Sequence, residues 1–264
     1  MLAEVQVKNF LQAAVRGEVT LSPSVIEEFA QDCREALKKQ FNRDPEWRIR
    51  MSGLGRPLCQ QVHGRDGKYE EMTYNSILRF LIGDENVKGS LDIILDDPVD
   101  GKKVWDIKSA SPYSYNMKFA KGYEALKEDD PFGYLVQGHL YAESKGMDFG
   151  GWIVVDKSSG EIQFVKAPDD QEEDREKYLG KAAEAVEALM SNFTFKKPPL
   201  QPEDEGFTVK GEKIYTGNKL LNKQCTFCGY KKYCWPKAIQ YDKVTSRAKN
   251  KPLAWYHTLK VKEI

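Results

Sequence analysis

Three residues of this chain carry the types and spacing for phosphodiester chemistry. Asp92 closes Gly89-Ser90-Leu91-Asp92, and Asp106-Ile107-Lys108 follows fourteen residues later. Residues two apart in a strand point to one face, so Asp106 and Lys108 project together. A hairpin between the two segments brings Asp92 beside them at one edge of the sheet. Hydrolysis of a phosphodiester needs a hard cation to polarise the phosphoryl oxygen and to supply hydroxide near neutral pH. Carboxylates are the natural ligands for Mg²⁺ or Mn²⁺. A lysine ammonium can orient the attacking water or stabilise charge in the transition state. An isolated Asp-x-Lys is usually a surface ion pair of little worth. Here Trp105 and Ile107 flank the pair, and a hydrophobic partner strand and a downstream helix accompany it, which favours the functional reading. That helix holds Gln137 and Tyr141, four apart on one face. The two could hydrogen-bond a phosphate or stack on a nucleobase beside the metals.

A second constellation is made of thiols. The chain has five cysteines, and Cys225, Cys228 and Cys234 form C-x₂-C-x₅-C. Three soft ligands leave a tetrahedral site one short, and Cys59, in Leu54-Gly55-Arg56-Pro57-Leu58-Cys59, supplies the fourth. Four thiolates can hold Zn²⁺ or an iron–sulfur cluster. Ordinary zinc ribbons use two C-x₂-C knuckles, and one is present. Phe227, Tyr230, Tyr233 and Trp235 offer an apolar shell that suits a cluster. In either case the role is structural: the centre staples the tail to a segment ahead of Asp92. An odd cysteine count argues against a disulfide framework.

The elements that position these groups read as follows. Ser22-Pro23 opens a helix, and Val25, Phe29, Cys33, Ala36 and Leu37 form its inward stripe, which makes Cys33 a buried thiol. Residues 48–68 read as a loop and 70–82 as a helix. Strands at 90–95 and 103–107 make one hairpin through Asp96-Asp97-Pro98-Val99-Asp100-Gly101. Strands at 151–156 and 161–166 make another through Lys157-Ser158-Ser159-Gly160. A helix at 132–145 stops near Gly146. A second helix at 171–191 turns Tyr178, Ala182, Ala185, Val186 and Leu189 inward. Lys196-Lys197-Pro198-Pro199 breaks the chain, and the remainder reads as a loop-rich tail. The expected organisation is an N-terminal helical region over 1–50, a core over 51–195 and a C-terminal cysteine segment over 196–264, with Cys59 packing back onto it.

Composition bounds the possibilities. The chain has 264 residues, 41% hydrophobic and 30% charged, with forty basic against forty acidic side chains. That length and hydrophobic fraction support a sizeable core and exclude a wholly disordered chain. Zero net charge excludes a polycationic binder, yet it hides a local asymmetry. Residues 219–251 carry nine basic side chains against the single acid Asp242. Lysines interleaved with aromatics suit single-stranded nucleic acid, and they equally suit a solvated surface. No apolar run approaches the roughly 18 residues of a membrane span, and the start lacks a secretory pattern. A soluble, cytoplasmic protein with no membrane partner is expected.

Taken together, Gly89-x-x-Asp92, Asp106-Ile107-Lys108-Ser109 and Gln137-x₃-Tyr141 resemble the PD-(D/E)XK nuclease superfamily, RecB-like branch. Cys59 with Cys225, Cys228 and Cys234 resembles its iron–sulfur members, among them the CRISPR-associated protein four family and especially phage-encoded relatives. Trp105-Asp106-Ile107-Lys108-Ser109-Ala110-Ser111-Pro112-Tyr113 and Asp130-Pro131-Phe132-Gly133-Tyr134 are similar to stretches of theirs. The resemblance runs from about Leu54 to Trp235. It implies an α/β fold with a restriction-endonuclease-like core: a mixed central sheet flanked by helices, with an iron–sulfur-stapled C-terminal segment. It implies a 4Fe–4S cluster on Cys59, Cys225, Cys228 and Cys234. It implies a Mg²⁺- or Mn²⁺-dependent deoxyribonuclease, an exonuclease acting on single-stranded DNA or DNA ends in recombination, repair or phage DNA processing, in the host cytoplasm if phage-encoded. Carried over by position, Asp92 and Asp106 bind metal, Lys108 assists the nucleophile, and Gln137 and Tyr141 match the Q-x₃-Y helix. Family members carry a further acid or histidine on a helix ahead of the first Asp, followed by a strand. Here only Asp84 to Gly89 stands in that place. Glu85 is the nearest acid, and Glu71 is an alternative. The second reading of the same residues is a nuclease-fold protein that binds DNA or acts in assembly without cutting.

Overall fold

The structure, a computed structural model, describes residues 2–41, 47–67, 78–82, 85–89, 91–191 and 193–260, with side chains for all of these except 2, 3, 37, 39–41, 78–82 and 85–89. Two compact units divide the chain. One comprises Met1–Gly55 and Thr73–Val186, the other Arg56–Met72 and Glu187–Ile264.

The first unit begins with helices α1 (Leu2–Val15), α2 (Pro23–Phe41) and the short α3 (Met51–Leu54). A hairpin of β1 (Leu78–Ile82) and β2 (Glu85–Gly89) follows, with Ile82 opposite Glu85. The expected helix over 70–82 is therefore a strand at 78–82; residues 70–77 lie outside the described residues, and so does Glu71. Leu78-Arg79-Phe80-Leu81-Ile82 is a short apolar run, and periodicity alone does not separate a strand from a helix there.

The central sheet has four strands: β3 (Ile93–Asp97), β4 (Gly101–Ala110), β5 (Asp148–Asp156) and β6 (Ile162–Lys166). They lie in the order β3-β4-β5-β6. The sheet is mixed. β3 and β4 are antiparallel with Ile93 opposite Trp105, β4 and β5 are parallel with Asp106 opposite Trp152, and β5 and β6 are antiparallel. Between β4 and β5 run α5 (Pro112–Met117), α6 (Tyr123–Glu128) and α7 (Tyr134–Glu143); α8 (Glu172–Met190) follows β6. Strand alternation sends Trp105 and Asp106 to opposite faces. Trp105 joins Ile153 and Phe164, with Val7 of α1 packed on that side. Asp106 and Lys108 face α7, which packs on β4 and β5. Along α8, Tyr178, Ala182, Ala185, Val186 and Leu189 are all buried, as their helical spacing predicts.

The fit of α7 depends on small residues. Gly133 caps its start at φ +74, and a Cβ there would meet the Cα of Gly55 at 2.3 Å. Asp130 then accepts the backbone N–H groups of Tyr134 at 3.0 Å and Leu135 at 2.9 Å, satisfying two donors that a helix start leaves unpaired.

The inward stripe expected on α2 is corrected. Val25, Ile26 and Phe29 are 48%, 54% and 69% exposed, and Cys33 is an exposed thiol, not a buried one. The pattern produced the helix, and no described element of the chain covers its apolar face.

The second unit holds α4 (Leu58–Arg65), so the loop expected over 48–68 is in fact two short helices, α3 and α4. Arg65 donates to the carbonyls of Leu189 at 2.9 Å and Phe193 at 2.8 Å. The expected loop-rich tail is an antiparallel sheet of β7 (Glu203–Val209), β8 (Glu212–Leu220), β9 (Ile239–Asp242) and β10 (Leu253–Thr258), in the order β7-β8-β10-β9. Short helices α9 (Lys223–Thr226) and α10 (Lys231–Cys234) carry the cysteine knuckle between β8 and β9. The sheet is built around a carboxylate. Glu205 is 1% exposed and accepts from Asn218 Nδ2 at 2.8 Å, the Tyr256 hydroxyl at 2.9 Å, and Thr216 and Thr245. Burial pushes this group upward, but those donors outweigh it and hold it below the usual range. No described helix is long and apolar enough to cross a membrane.

Candidate active site and thiol centre

Asp92, Asp106 and Lys108 meet at one end of the β3–β4 pair. Asp92 stands just before β3, where the ladder opens, and its Oδ2 accepts the Ile107 N–H at 2.8 Å. The carboxylate thus takes the place of a strand carbonyl and is fixed to the backbone between Asp106 and Lys108. Asp106 is wholly buried, whereas Asp92 is exposed. Burial pushes the Asp106 carboxyl up to about 7; Lys108 opposes this, and the charge of Asp92 adds to it.

Lys108 Nζ lies 2.6 Å from Asp106 Oδ2. The contact is a charge contact outside hydrogen-bonding alignment, because both Asp106 oxygens are buried without a hydrogen bond. The ammonium donates instead to Gln137 Oε1 at 3.2 Å and sits 4.9 Å from the ring centroid of Tyr134. Gln137 Nε2 in turn donates to the Tyr141 hydroxyl at 3.0 Å. This fixes the amide with its oxygen toward the lysine. Tyr141 is 2% exposed, which corrects its expected role. A ring so buried does not stack on a nucleobase; it orients Gln137, and Gln137 orients Lys108. Tyr134 was not foreseen as part of this group. Its signal was the spacing Tyr134-x₂-Gln137-x₃-Tyr141, which puts three side chains on one face of α7.

Of the other expected ligands, Glu85 is the first residue of β2, and its side chain lies outside the described residues; Glu71 lies outside them altogether. The donor set present fits a hard cation. Mg²⁺ is commonly held by one or two carboxylates, with waters and substrate phosphates completing its octahedron. A buried carboxylate without hydrogen bonds is costly unless a cation or proton meets it.

The four expected thiols all lie in the second unit. Cys59 comes from α4, Cys225 from α9, Cys228 from the turn after it and Cys234 from the end of α10. None of the four is in a disulfide; Cys59, Cys225 and Cys228 are buried and Cys234 is partly so. The knuckle is set by Asn222, whose side chain accepts the Gln224 N–H at 2.9 Å, and by the Cys228 N–H donating to the Cys225 carbonyl at 3.1 Å. Burial pushes Cys59 up to about 12, and Cys228, Cys234 and Cys225 each add to the shift, so the four sulfurs share one electrostatic neighbourhood. Burial likewise carries Cys228 to about 11. It also raises Cys225. Thiols this reluctant to ionise are poor nucleophiles, and a structural metal is the usual counterweight. Among the described residues, no group of three or more His, Cys, Asp or Glu side chains is drawn together as a single-ion site.

Two features of this centre depart from the sequence reading. His63 joins it, with Nε2 at 3.0 Å from Cys234 Sγ and its ring 5.7 Å from that of Tyr230. Its signal was Cys59-x₃-His63, one face of a helix. That distance is a hydrogen bond; two ligands of one tetrahedral ion stand about 3.5 Å apart, given Zn–S near 2.3 Å and Zn–N near 2.0 Å. The expected apolar shell is also only half formed. Tyr230 is buried and Trp235 packs with Leu221, Cys225 and Ala238, but Phe227 and Tyr233 are 63% and 53% exposed. Lys231 and Lys232 stand over the Trp255 ring at 5.0 and 5.1 Å.

Compared with known proteins, the chain matches no family model, no curated sequence and no solved structure.

Proposed function

We propose that this protein is a divalent-metal-dependent deoxyribonuclease on a PD-(D/E)XK, restriction-endonuclease-like core, and that it trims single-stranded DNA or DNA ends. The observation that carries the reading is Asp106: a buried carboxylate lacking hydrogen bonds, beside Asp92 and a lysine held in place from three sides. Asp92 and Asp106 would hold the Mg²⁺ or Mn²⁺. When bound, the ion supplies Lewis-acid polarisation of the phosphate and a water of lowered pKa. Lys108 supplies a fixed positive charge for the attacking water or a non-bridging oxygen, positioned before substrate arrives and so without reorganisation during the reaction. Gln137, Tyr141 and Tyr134 hold that charge in place.

Cys59, Cys225, Cys228 and Cys234 would hold a 4Fe–4S cluster as a structural staple of the C-terminal unit, with Zn²⁺ the competing occupant. Lysines among exposed aromatic rings in the same unit suit a nucleic-acid strand, whose phosphates and base faces they match.

End-labelled single- and double-stranded DNA, with and without Mn²⁺, tests the reading. The wild type should degrade at least one of them only with metal. Asp106→Ala should abolish degradation while circular dichroism stays unchanged, and Lys108→Met should slow it by about a hundredfold or more. Metal-independent cleavage, or full activity in Asp106→Ala, would overturn the assignment. Strand binding that never leads to cleavage would leave a DNA-binding module in its place. Visible charge-transfer absorbance with matching iron and sulfide distinguishes the cluster from a colourless zinc site.

A further inference from the structure

Helix α2 is an amphipathic rod without a described partner. Every side chain from Pro23 to Arg34 is exposed, and no other described helix or strand packs along it. Nineteen residues make a rod about 28 Å long. In proteins most helix stability comes from packing an amphipathic face. Val25, Ile26, Phe29 and Cys33 lie on one side, and by helical spacing Ala36, Leu37 and Phe41 continue the stripe. Contiguous exposed apolar surface of this kind marks an interaction site.

The charges beside the stripe identify what covers it. Residues 23–32 hold Glu27, Glu28 and Asp32 and no base, while residues 33–41 hold Arg34, Lys38 and Lys39 against Glu35 alone. The helix is therefore acidic at one end and basic at the other. A membrane surface is disfavoured, since lipid-binding amphipathic helices are rich in Lys and Arg, whereas α2 carries four acids against three bases. A parallel copy would oppose like charges. An antiparallel copy opposes unlike ones.

We propose that α2 is a homodimerisation helix that pairs with the α2 of a second copy, antiparallel, about a two-fold axis beside Cys33. Cys33 lies near the middle of the helix and near the centre of the stripe. Pairing about it sets Cys33 against its own counterpart and position 29 against position 37. The same arrangement sets the acidic first half of each helix beside the basic second half of the other. Such an interface is self-complementary, as two-fold symmetry demands. A single helix pair is small, so the dimer is a weak, concentration-dependent one. This inference is independent of the nuclease reading.

Sedimentation of the full chain over a wide concentration range should show reversible monomer–dimer exchange, and Phe29→Glu should leave monomer throughout. Mild oxidation should give a covalent dimer that Cys33→Ser loses. Direction is read in the Cys33→Ser background: Phe29→Cys mixed with Leu37→Cys should give the mixed disulfide in preference to either homodisulfide. A monomer at every concentration with no Cys33 cross-link would overturn the proposal. So would Phe29→Cys cross-linking chiefly to itself, which marks a parallel pair. Recruitment of the wild type to anionic phospholipid vesicles through α2 in place of dimerisation would assign the face to lipid instead.

Discussion

His139, on the helix that positions Lys108, makes the fold acid-sensitive. Its ring is 2% exposed and stacks on Tyr178 at 5.3 Å. The Tyr123 hydroxyl lies 3.0 Å from His139 Nε2 and donates its proton to Asp174 at 3.1 Å. With that proton committed, Tyr123 can only accept from the histidine, which fixes the neutral Nε2–H tautomer. Burial, with Arg175 and Lys127 against an opposing Asp174, pushes the imidazole from 6.5 down to about 4. Between those values the unfolded chain binds a proton that the folded chain refuses. Stability from His139 is therefore full above about pH 6.5 and is lost as pH falls toward 4. The whole shift corresponds to about 3 kcal/mol, of which about 2 kcal/mol is gone by pH 5. Asp106 acts in the opposite direction. A carboxyl raised to about 7 favours the metal-free fold as pH falls through 7. The diagnostic quantity is thus the difference between wild type and His139→Gln, which keeps an N–H donor without titrating. Urea unfolding of metal-free protein should show the gap between the two closing by about 2 kcal/mol from pH 7.5 to pH 5. A gap that does not change with pH, or a His139 ring titrating near 6.5 by NMR, would refute the reasoning.

Three more outcomes follow from the second unit. Glu205→Leu should destabilise it by about 3 kcal/mol in thermal or urea unfolding, because Asn218 and the Tyr256 and threonine hydroxyls lose a buried acceptor; an unchanged midpoint would deny the carboxylate its central place. Serine at Cys59, Cys225, Cys228 or Cys234 should each lower bound metal or iron with sulfide in the purified protein, while Cys33→Ser leaves it at the wild-type level. His63→Ala should retain the metal but shift the visible or electrochemical signature of a bound cluster, since it removes a hydrogen bond to Cys234 sulfur.

What the residues disclosed in advance follows the strength of local signals. The β3–β4 turn spells Asp-Asp-Pro-Val-Asp-Gly, and Asp97 duly accepts the N–H groups of Val99 and Asp100. The spacing along α8 left one possible inward face. The C-terminal sheet was hidden because its pattern runs against the usual code. Glu203-Asp204-Glu205 reads as a solvated acidic stretch, yet its last carboxylate, Glu205, is buried. The hairpin signal was present at Lys210-Gly211, both at positive φ, but without hydrophobic alternation around it. Gly53, Gly55 and Pro57 punctuate the segment holding Cys59 and give it the pattern of a loop. Those residues end one short helix and start the next. The stripe of α2 predicted a helix correctly and its burial wrongly, since amphipathicity states that a face is apolar without stating what covers it.

The candidate site shows why sequence could locate its members but not divide their labour. Asp92, Asp106 and Lys108 look equivalent as polar residues on two strands. Burial separates them. Asp92 is exposed and hydrogen-bonded to the backbone, so its charge is already accommodated. Lys108 is shared among a carboxylate, an amide oxygen and an aromatic face. Asp106 alone sits in low dielectric with no hydrogen bond, where one ammonium at 2.6 Å does not offset the loss of water. Such a group holds a proton near neutral pH or waits for a second cation. Under the proposed nuclease reading the same electrostatic deficit that costs the metal-free fold stability is what favours metal binding. Asp106→Asn should then raise the unfolding midpoint of metal-free protein above neutral pH while removing metal-dependent cleavage. A midpoint lowered by that substitution would show that the carboxylate is stabilising in place, and would remove the physical basis for a cation there.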